Sequence, residues 1–163
     1  MIRKLAVEMH LPEGKRPGYY AQIVKGIAER VELFDRRKEL LVLGSEDDLP
    51  PVVELLRRYN AGFETLELLL LPEDGLQRES LYEDVVIETI NGRSYTVWPD
   101  VAYFRLTAEG PEAEAAPALL QLQENMVVTV RENEWVWHGV ERKEDEWVER
   151  VAKAYGCGVV WYR

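Results

Sequence analysis

Hydrophobic and polar residues alternate with two different periods along the first 71 residues. Leu5, Val7 and Met9 lie on one face of the segment 4–11 and Glu8 and His10 on the other, as in a half-buried strand. Later segments carry apolar residues at helical spacing, and short apolar runs separated by polar residues predict hairpins. The pattern predicts a strand at 4–11, a helix at 19–31, strands at 31–34 and 40–43 with a turn at 35–38, a helix at 50–59 and a strand at 66–71.

The same order of elements returns after residue 100. The pattern predicts a strand at 101–106, a helix within 109–123, a hairpin of strands at 126–130 and 135–140, a helix at 148–155 and a strand at 159–162. The polar, acidic segment 72–82 between the two sets is typical of a linker. Asn91-Gly92, between apolar runs at 85–90 and 94–98, predicts an extra hairpin with a type I′ turn.

Residues 96 positions apart match in type over much of the two halves. The helical stripe of the first half matches that of the second, which pairs Val52, Leu55, Leu56 and Tyr59 with Val148, Val151, Ala152 and Tyr155. Gly62, after the first stripe, matches Gly158 after the second. The register slips by one residue in the hairpin, where Gly44 matches Gly139. A common offset for helices, hairpins and caps indicates an internal duplication.

The order β-α-β-β-α-β resembles the ferredoxin-like fold, in which right-handed crossovers place both helices on one face of a four-stranded antiparallel sheet. We therefore expect an α+β protein of two tandem ferredoxin-like units related by internal duplication. The predicted domains are residues 1–72, a linker with the extra β-hairpin at 73–99, and residues 100–163. Because the strand at 66–71 is apolar on both faces, we expect the units to bury it by packing together as one compact body.

Composition narrows the class of protein and of partner. The formal net charge of −10 disfavours binding to nucleic acid or to an anionic membrane surface, because both attract clustered Lys and Arg. No apolar run is long enough to span a bilayer, and the N-terminal run is too short for a signal peptide. The single cysteine, Cys157, suits a reducing compartment, so we expect a soluble, cytoplasmic protein. Abundant Glu and Arg with few Asn and Gln favour a thermophilic source.

Two loops with matching Glu-Gly pairs are candidate ligand-binding segments. Glu13 and Glu109 each follow the first strand of their half. Lys15 and Arg16 lie in the same Gly- and Pro-containing loop as Glu13, before a helix whose free N–H groups attract anions. The loop matches no known phosphate-binding motif, so an ordinary strand-to-helix connection is the simpler interpretation.

Aromatic residues and a histidine form a third candidate region. Trp135 and Trp137 share one face of a predicted strand, with Trp161 as a further candidate beside them, and His138 follows directly. Such a face can be a ligand wall or a partner surface, but the protein core or the seam between the units is the simpler interpretation. His10 and His138 fall in different halves and no HxH, HxxxH or CxxC motif is present, so we predict neither a metal site nor a cofactor.

No set of residues has the spacing of a known catalytic constellation, so we predict no catalytic residue. The first hypothesis is a non-enzymatic binding or regulatory module, compatible with a homodimer, that recognises a protein or small molecule through the aromatic face or a cleft between the units. The second is an enzyme that uses Glu13 and Glu109 in the groove between the units. The third is an analogy with the tandem ferredoxin-like RNA-processing proteins of CRISPR systems, which the acidic charge disfavours.

Overall fold

The two periodicities of the sequence correspond to eleven strands and five α-helices in the computed structural model, which describes residues 1–163, and the strands form two antiparallel sheets. The strands are β1 (Ile2–His10), β2 (Leu33–Arg37), β3 (Leu40–Leu43), β4 (Gly62–Leu70), β5 (Gln77–Arg78), β6 (Ile87–Glu88), β7 (Ser94–Val97), β8 (Val101–Ala108), β9 (Met126–Glu132), β10 (Trp135–Glu141) and β11 (Cys157–Trp161). The helices are α1 (Pro17–Ala28), α2 (Leu49–Arg58), α3 (Tyr82–Val85), α4 (Ala115–Leu122) and α5 (Asp145–Ala154). The predicted α+β class is confirmed. None of the helices combines the length and the apolar character that crossing a bilayer requires.

Four strands of each half lie in the same spatial order. The six-stranded sheet has the order β2-β3-β1-β4-β7-β6, and the five-stranded sheet has the order β11-β8-β10-β9-β5. In both sheets the first strand of the half lies between the third and the fourth, and the second strand lies outside the third. The predicted extra hairpin corresponds to β6 and β7, which follow β4 in the six-stranded sheet.

The chain divides into two compact units. The N-terminal unit contains residues 2–68 and 88–93, and the C-terminal unit contains residue 1 and residues 69–87 and 94–163. In the N-terminal unit, α1 and α2 bury their apolar faces against β1 and β3. The buried residues of this core include Val7, Met9, Ile23, Ile27, Leu41, Leu43, Val52, Leu55 and Leu56.

Helices α2 and α5 each contain ten residues, and their starts lie 96 positions apart. Each buries the side chains that the helical stripe predicts, namely Val52, Leu55 and Leu56 in α2 and Val148, Val151 and Ala152 in α5. The chain leaves each helix through a left-handed residue, Asn60 with φ of 52° and Gly156 with φ of 71°. Asn and Gly tolerate this conformation better than other residues, which confirms the predicted end of each helix.

The first hairpin differs from the prediction, which made residues 35–38 a turn. Asp35, Arg36 and Arg37 belong to β2, and the loop consists of Lys38 and Glu39 alone. Lys38 has the φ of 50° that such a tight connection requires, and Asn133, the first loop residue of the β9–β10 hairpin, has a φ of 55°. Charged side chains led us to expect a solvated turn, but strand residues at an edge can carry charge equally well.

Asp35 is the buried member of that charged run, with 3% of its surface exposed. Its carboxylate accepts hydrogen bonds from the Thr89 hydroxyl at 2.7 Å, the Asn91 side-chain amide at 2.8 Å and the Arg36 backbone N–H at 2.8 Å. The guanidinium of Arg93 lies 3.9 Å from the carboxylate and donates to the Phe34 carbonyl. Within the N-terminal unit, the hydrogen bonds of Asp35 therefore connect β2 to the turn that follows β6.

That turn is not the predicted type I′ turn. Gly92 has a φ of 77°, but Asn91 is not left-handed, and the Gly92 N–H donates to the Thr89 carbonyl. A type I′ turn needs positive φ at both central residues, so the Asn-Gly signal identified the hairpin but not its turn. The predicted linker 72–82 also contains structure, since β5 lies within it and α3 begins at its end.

The predicted match of Gly44 with Gly139 stays a prediction, and the two glycines differ in their secondary structure. β3 has four residues and ends before Gly44, whereas β10 has seven and contains Gly139. A Cβ at Gly139 would lie 3.1 Å from the Tyr103 ring and 3.2 Å from the Val128 side chain. Close packing inside the C-terminal unit therefore explains why position 139 carries a glycine.

Both faces of the five-stranded sheet are buried by apolar side chains of the C-terminal unit. Alternate residues of β8 enter different cores, because successive side chains of a strand point to opposite faces. The core on the side of α4 and α5 includes Ala102, Phe104, Ala118, Leu122, Val140, Val148 and Val151. The core on the other face includes Leu69, Tyr82, Val101, Tyr103, Val128, Val130 and Trp137.

Candidate functional site

A cleft of about 260 Å³ lies in the C-terminal unit between α4 and the strands β9 and β10. Glu79 and Thr129 line it together with His138, and Ala116, Leu119 and Leu120 of α4 form its other wall. The cleft therefore combines a few polar groups with an apolar wall, the usual composition of a small-molecule site. His138 was predicted as a site residue from the sequence, but Glu79, Thr129 and Leu120 were not.

Strand pairing places the polar groups of this cleft side by side. Thr129 of β9 lies directly opposite His138 of β10, and Gln77 of β5 lies opposite Thr129 on its other side. Glu79 follows β5, where its backbone N–H donates to the Val127 carbonyl at 3.2 Å. The backbone of three neighbouring strands thus fixes the relative positions of Glu79, Thr129 and His138.

A chain of two hydrogen bonds connects these three side chains. The Thr129 hydroxyl donates to Oε1 of Glu79 at 2.7 Å, since a carboxylate can only accept. The Thr129 hydroxyl oxygen also lies 2.9 Å from Nδ1 of His138. Because the single hydroxyl proton points to Glu79, the threonine oxygen accepts from His138, and Nδ1 carries the imidazole proton. The second ring nitrogen, Nε2, then keeps its lone pair as a hydrogen-bond acceptor.

Burial decides the charge of His138. Desolvation lowers the pKa of this imidazole from 6.5 to about 4, because a charged ring is disfavoured away from water. The ring centroid of Phe104 lies 5.5 Å from that of the imidazole and contributes to this apolar surrounding. At neutral pH the cleft therefore presents a neutral imidazole with a fixed tautomer.

The wall opposite these polar groups is apolar and open. Leu120 is 71% exposed, although α4 buries Ala118 and Leu122 in the core beneath it. Leu119 is half-buried and packs against the same core. Leu120 is therefore the more exposed of the two leucines of this wall.

The hairpin of the N-terminal unit has leucines where the C-terminal unit has this polar pair. His138 is the fourth residue of β10, counted from the hairpin loop, and Leu43 is the fourth residue of β3. Leu43 lies directly opposite Leu33, as His138 lies opposite Thr129. Leu43 is 1% exposed and belongs to the core of its unit. The register of β2 shifts between Leu33 and Asp35, so Leu33 is the fifth residue before its loop and Thr129 the fourth. Counted across that shift, the two pairs occupy the corresponding position of hairpins with two-residue loops.

The predicted Lys15 and Arg16 line a separate depression of about 480 Å³ in the N-terminal unit. The Lys15 ammonium lies 5.4 Å from the centre of the Tyr19 ring, at the start of α1. Arg16 precedes Pro17, the first residue of α1, and its side chain does not cap the helix. The loop offers two exposed cations but no buried polar group that would hold a ligand in one orientation.

The two predicted glutamates lie in different units and line neither depression. Glu13 is exposed in the turn that precedes α1. Glu109 is exposed at the end of β8, and Oε1 of its carboxylate accepts from the Thr107 hydroxyl at 3.1 Å. The use of both carboxylates in one groove stays a prediction.

The three tryptophans of the predicted aromatic face divide between different surroundings. Trp137 is 8% exposed and packs edge-to-face on Tyr162 at 5.1 Å in one core of the C-terminal unit. Trp161 faces the other core, against Phe104 at 5.8 Å, so it is not beside Trp137 as expected. Trp135 is 44% exposed, with the Arg105 guanidinium 4.0 Å from its ring. Of the three, Trp135 alone offers an exposed aromatic surface.

A weak signal for Thr129 was present in the sequence. It interrupts the apolar run from Met126 to Val130, and the predicted hairpin brings that run beside His138. Glu79 lies in the segment interpreted as a linker, so no local pattern connected it with these residues. No group of three or more His, Cys, Asp or Glu side chains is placed to hold a metal ion.

The chain matches no protein-family model and no curated protein.

Proposed function

We propose that the protein is a non-enzymatic binding module that takes a small molecule in the cleft beside His138. The observation that carries this proposal is the polar pair Thr129–His138 at a hairpin position where the N-terminal unit has Leu33–Leu43. The first hypothesis from the sequence is thereby narrowed to a small-molecule ligand and to a cleft inside the C-terminal unit.

We propose further that the two halves are tandem ferredoxin-like units that arose by duplication. The shared strand order, the ten-residue helices 96 positions apart and the left-handed residues Lys38 and Asn133 in matching hairpin loops support this proposal. The register shift between Leu33 and Asp35 in β2 accounts for a change of one residue in the offset within this hairpin. If the halves share an ancestor, the pairs Leu33–Leu43 and Thr129–His138 are alternative solutions for one position.

The comparison of Leu33–Leu43 with Thr129–His138 shows which of the two pairs suits the hydrophobic core better. Leu43 is buried and Leu33 partly buried at this position, and a polar pair there contributes less to a core because its groups must be desolvated. Polar residues in an otherwise apolar setting are commonly retained for a functional reason. Thr129 and His138 are therefore better explained by recognition of a ligand than by the needs of the fold.

The proton arrangement does not provide a threonine nucleophile activated by histidine. A nucleophilic threonine needs a base that takes its proton, but Nδ1 of His138 carries a proton in this arrangement, and the Thr129 hydroxyl donates to the Glu79 carboxylate. The Thr129 hydroxyl instead serves as a link that orients the imidazole towards one tautomer. Such a fixed donor and acceptor pattern gives specificity for a ligand.

We propose further that the protein works in the cytoplasm and does not bind nucleic acid. Cys157, the single cysteine, is buried and unbridged, which suits the reducing cytoplasm. The net charge of −10 favours a small molecule over a nucleic acid as the partner.

Filling the cleft tests the proposed site. Ala116 is exposed and lines the cleft, whereas Ala115 is exposed on the same helix and does not line it. Fragment-sized compounds detected by ligand-observed NMR should bind the unmodified chain and shift amide signals of Thr129 and His138. Ala116→Trp should weaken these fragments at least tenfold, because the indole occupies their volume, a loss of about 1.4 kcal/mol in binding free energy.

Ala115→Trp is the matched control and should leave fragment affinity unchanged. Both variants should give the circular dichroism spectrum of the unmodified chain, since neither alanine is buried. The proposal fails if no fragment perturbs the cleft, or if Ala116→Trp binds the fragments as well as Ala115→Trp does.

A further inference from the structure

We infer that the ligand of this cleft is a small organic cation, an amine carried on a short apolar body. The inference rests on the proposed function, and it concerns the chemical class of the ligand. It follows from the charge of the lining, the direction of its hydrogen bonds and the apolar wall.

The charge of the lining is negative. Glu79 is the single residue with a formal charge among those that line the cleft, and neither lysine nor arginine is among them. His138 adds no positive charge at neutral pH, because its burial keeps the imidazole deprotonated. The net charge of −10 adds a long-range field of the same sign. An anionic ligand would meet repulsion without a cation to compensate it.

The hydrogen bonds leave acceptors rather than donors for a ligand. The Thr129 proton is used by Glu79, and the Nδ1 proton of His138 is used by Thr129. The groups left over are the lone pair of Nε2 and the second carboxylate oxygen of Glu79, which both accept. Gln77 and Gln123 also line the cleft, but an amide both donates and accepts and so does not change this balance. An ammonium group donates up to three hydrogen bonds and matches this pattern.

The remaining surface selects an apolar body. Leu119, Leu120 and Met126 line the cleft opposite and beside the polar groups. The cleft volume of about 260 Å³ suits a fragment of one ring or a short branched chain rather than a nucleotide. A ligand with its ammonium at Glu79 and His138 would cover the exposed surface of Leu120.

Three probes of the same shape test the chemical class of the ligand separately from the question of whether the cleft binds a ligand at all. Cyclohexylmethylamine, cyclohexylmethanol and cyclohexanecarboxylate share one apolar body and differ in charge. Titration near neutral pH, followed by amide shifts of Thr129 and His138, should show the amine binding at least tenfold more tightly than the alcohol. The carboxylate should bind more weakly than either of the other two.

Glu79→Gln should remove the preference for the amine while the alcohol keeps its affinity. Glu112→Gln, an exposed glutamate of the same unit outside the cleft, is the matched control and should keep the preference. If cyclohexanecarboxylate shifts the amide signals of Thr129 and His138 and binds as tightly as the amine or more tightly, the inferred class of ligand is wrong. The proposed function would still stand in that case. If none of the three probes and no fragment perturbs the cleft, the proposed function itself is wrong.

Discussion

Replacing Asp35 by alanine should lower the free energy of unfolding of the N-terminal unit by about 3 kcal/mol. The side chain is buried and accepts from Thr89, Asn91 and the Arg36 N–H. Removal leaves the Thr89 hydroxyl, itself 7% exposed, with only the long contact of 3.5 Å to the Arg93 carbonyl, and it leaves the nearby Arg93 guanidinium without its anion. Unpaired buried polar groups carry their full cost of desolvation, which exceeds the net value of the lost hydrogen bonds.

Urea unfolding followed by circular dichroism measures this loss. Asp74→Ala removes an exposed aspartate and should change stability by less than about 0.5 kcal/mol, as surface substitutions usually do. Asp35→Asn keeps one side-chain oxygen as an acceptor and should lose less than Asp35→Ala. A loss below about 1 kcal/mol for Asp35→Ala would mean that water or a rearranged turn replaces the carboxylate.

Acid should destabilise the C-terminal unit through His138. The unfolded chain takes up a proton at this imidazole near pH 6.5, whereas the folded chain takes it up only when the pH reaches about 4. Between these values the unfolded state holds more protons, so the free energy of unfolding falls as the pH falls through this window. At 1.36 kcal/mol for each pH unit, the contribution of His138 that is lost amounts to about 3 kcal/mol.

His138→Leu isolates that contribution from the titration of the carboxyl groups. When the pH is lowered from 6.5 to 4, the difference in the free energy of unfolding between the variant and the unmodified chain should change by about 3 kcal/mol in favour of the variant. In a His10→Gln background His138 is the only histidine, so its imidazole signals in NMR report its pKa directly. A histidine that titrates near 6.5 in the folded chain, or a stability difference that does not change with pH, would contradict the buried neutral imidazole.

The hydrophobic periodicity predicted most of the helices and strands because the spacing of apolar residues within a short segment determines which face of that segment is buried. The spacing of Val52, Leu55 and Leu56 places these side chains on one face of a helix, and α2 buries that face. Pro50 and Pro51 lie in the first turn of α2, where their missing N–H groups cost nothing. The boundaries were less accurate, since α1 begins at Pro17 in a segment interpreted as a loop.

Asp35 shows where local patterns fail. Its neighbours Arg36 and Arg37 are exposed, and a charged run is usually solvated. The partners that bury Asp35, Thr89 and Asn91, lie more than fifty residues away and carry no local sign of this contact. Long-range hydrogen bonds of this kind depend on the tertiary fold and are absent from any short window of sequence.

The site was predictable only in part for the same reason. His138 was a candidate because of its tryptophan neighbours, but the cleft involves the opposite face of β10 from Trp137. Its partners come from β9 and from the segment after β5, which pairing brings together. The sequence contained each residue, whereas their grouping required the order of the strands.

Transferring the leucine pair of the N-terminal unit to the cleft tests the central claim most directly. The double variant Thr129→Leu/His138→Leu copies the pair Leu33–Leu43. Urea unfolding and cyclohexylmethylamine titration on the same samples then measure stability and binding together. We expect the double variant to be at least as stable as the unmodified chain near neutral pH and to bind the amine at least tenfold more weakly. A loss of more than about 2 kcal/mol in stability, or unchanged binding, would show that Thr129 and His138 serve the fold rather than a ligand.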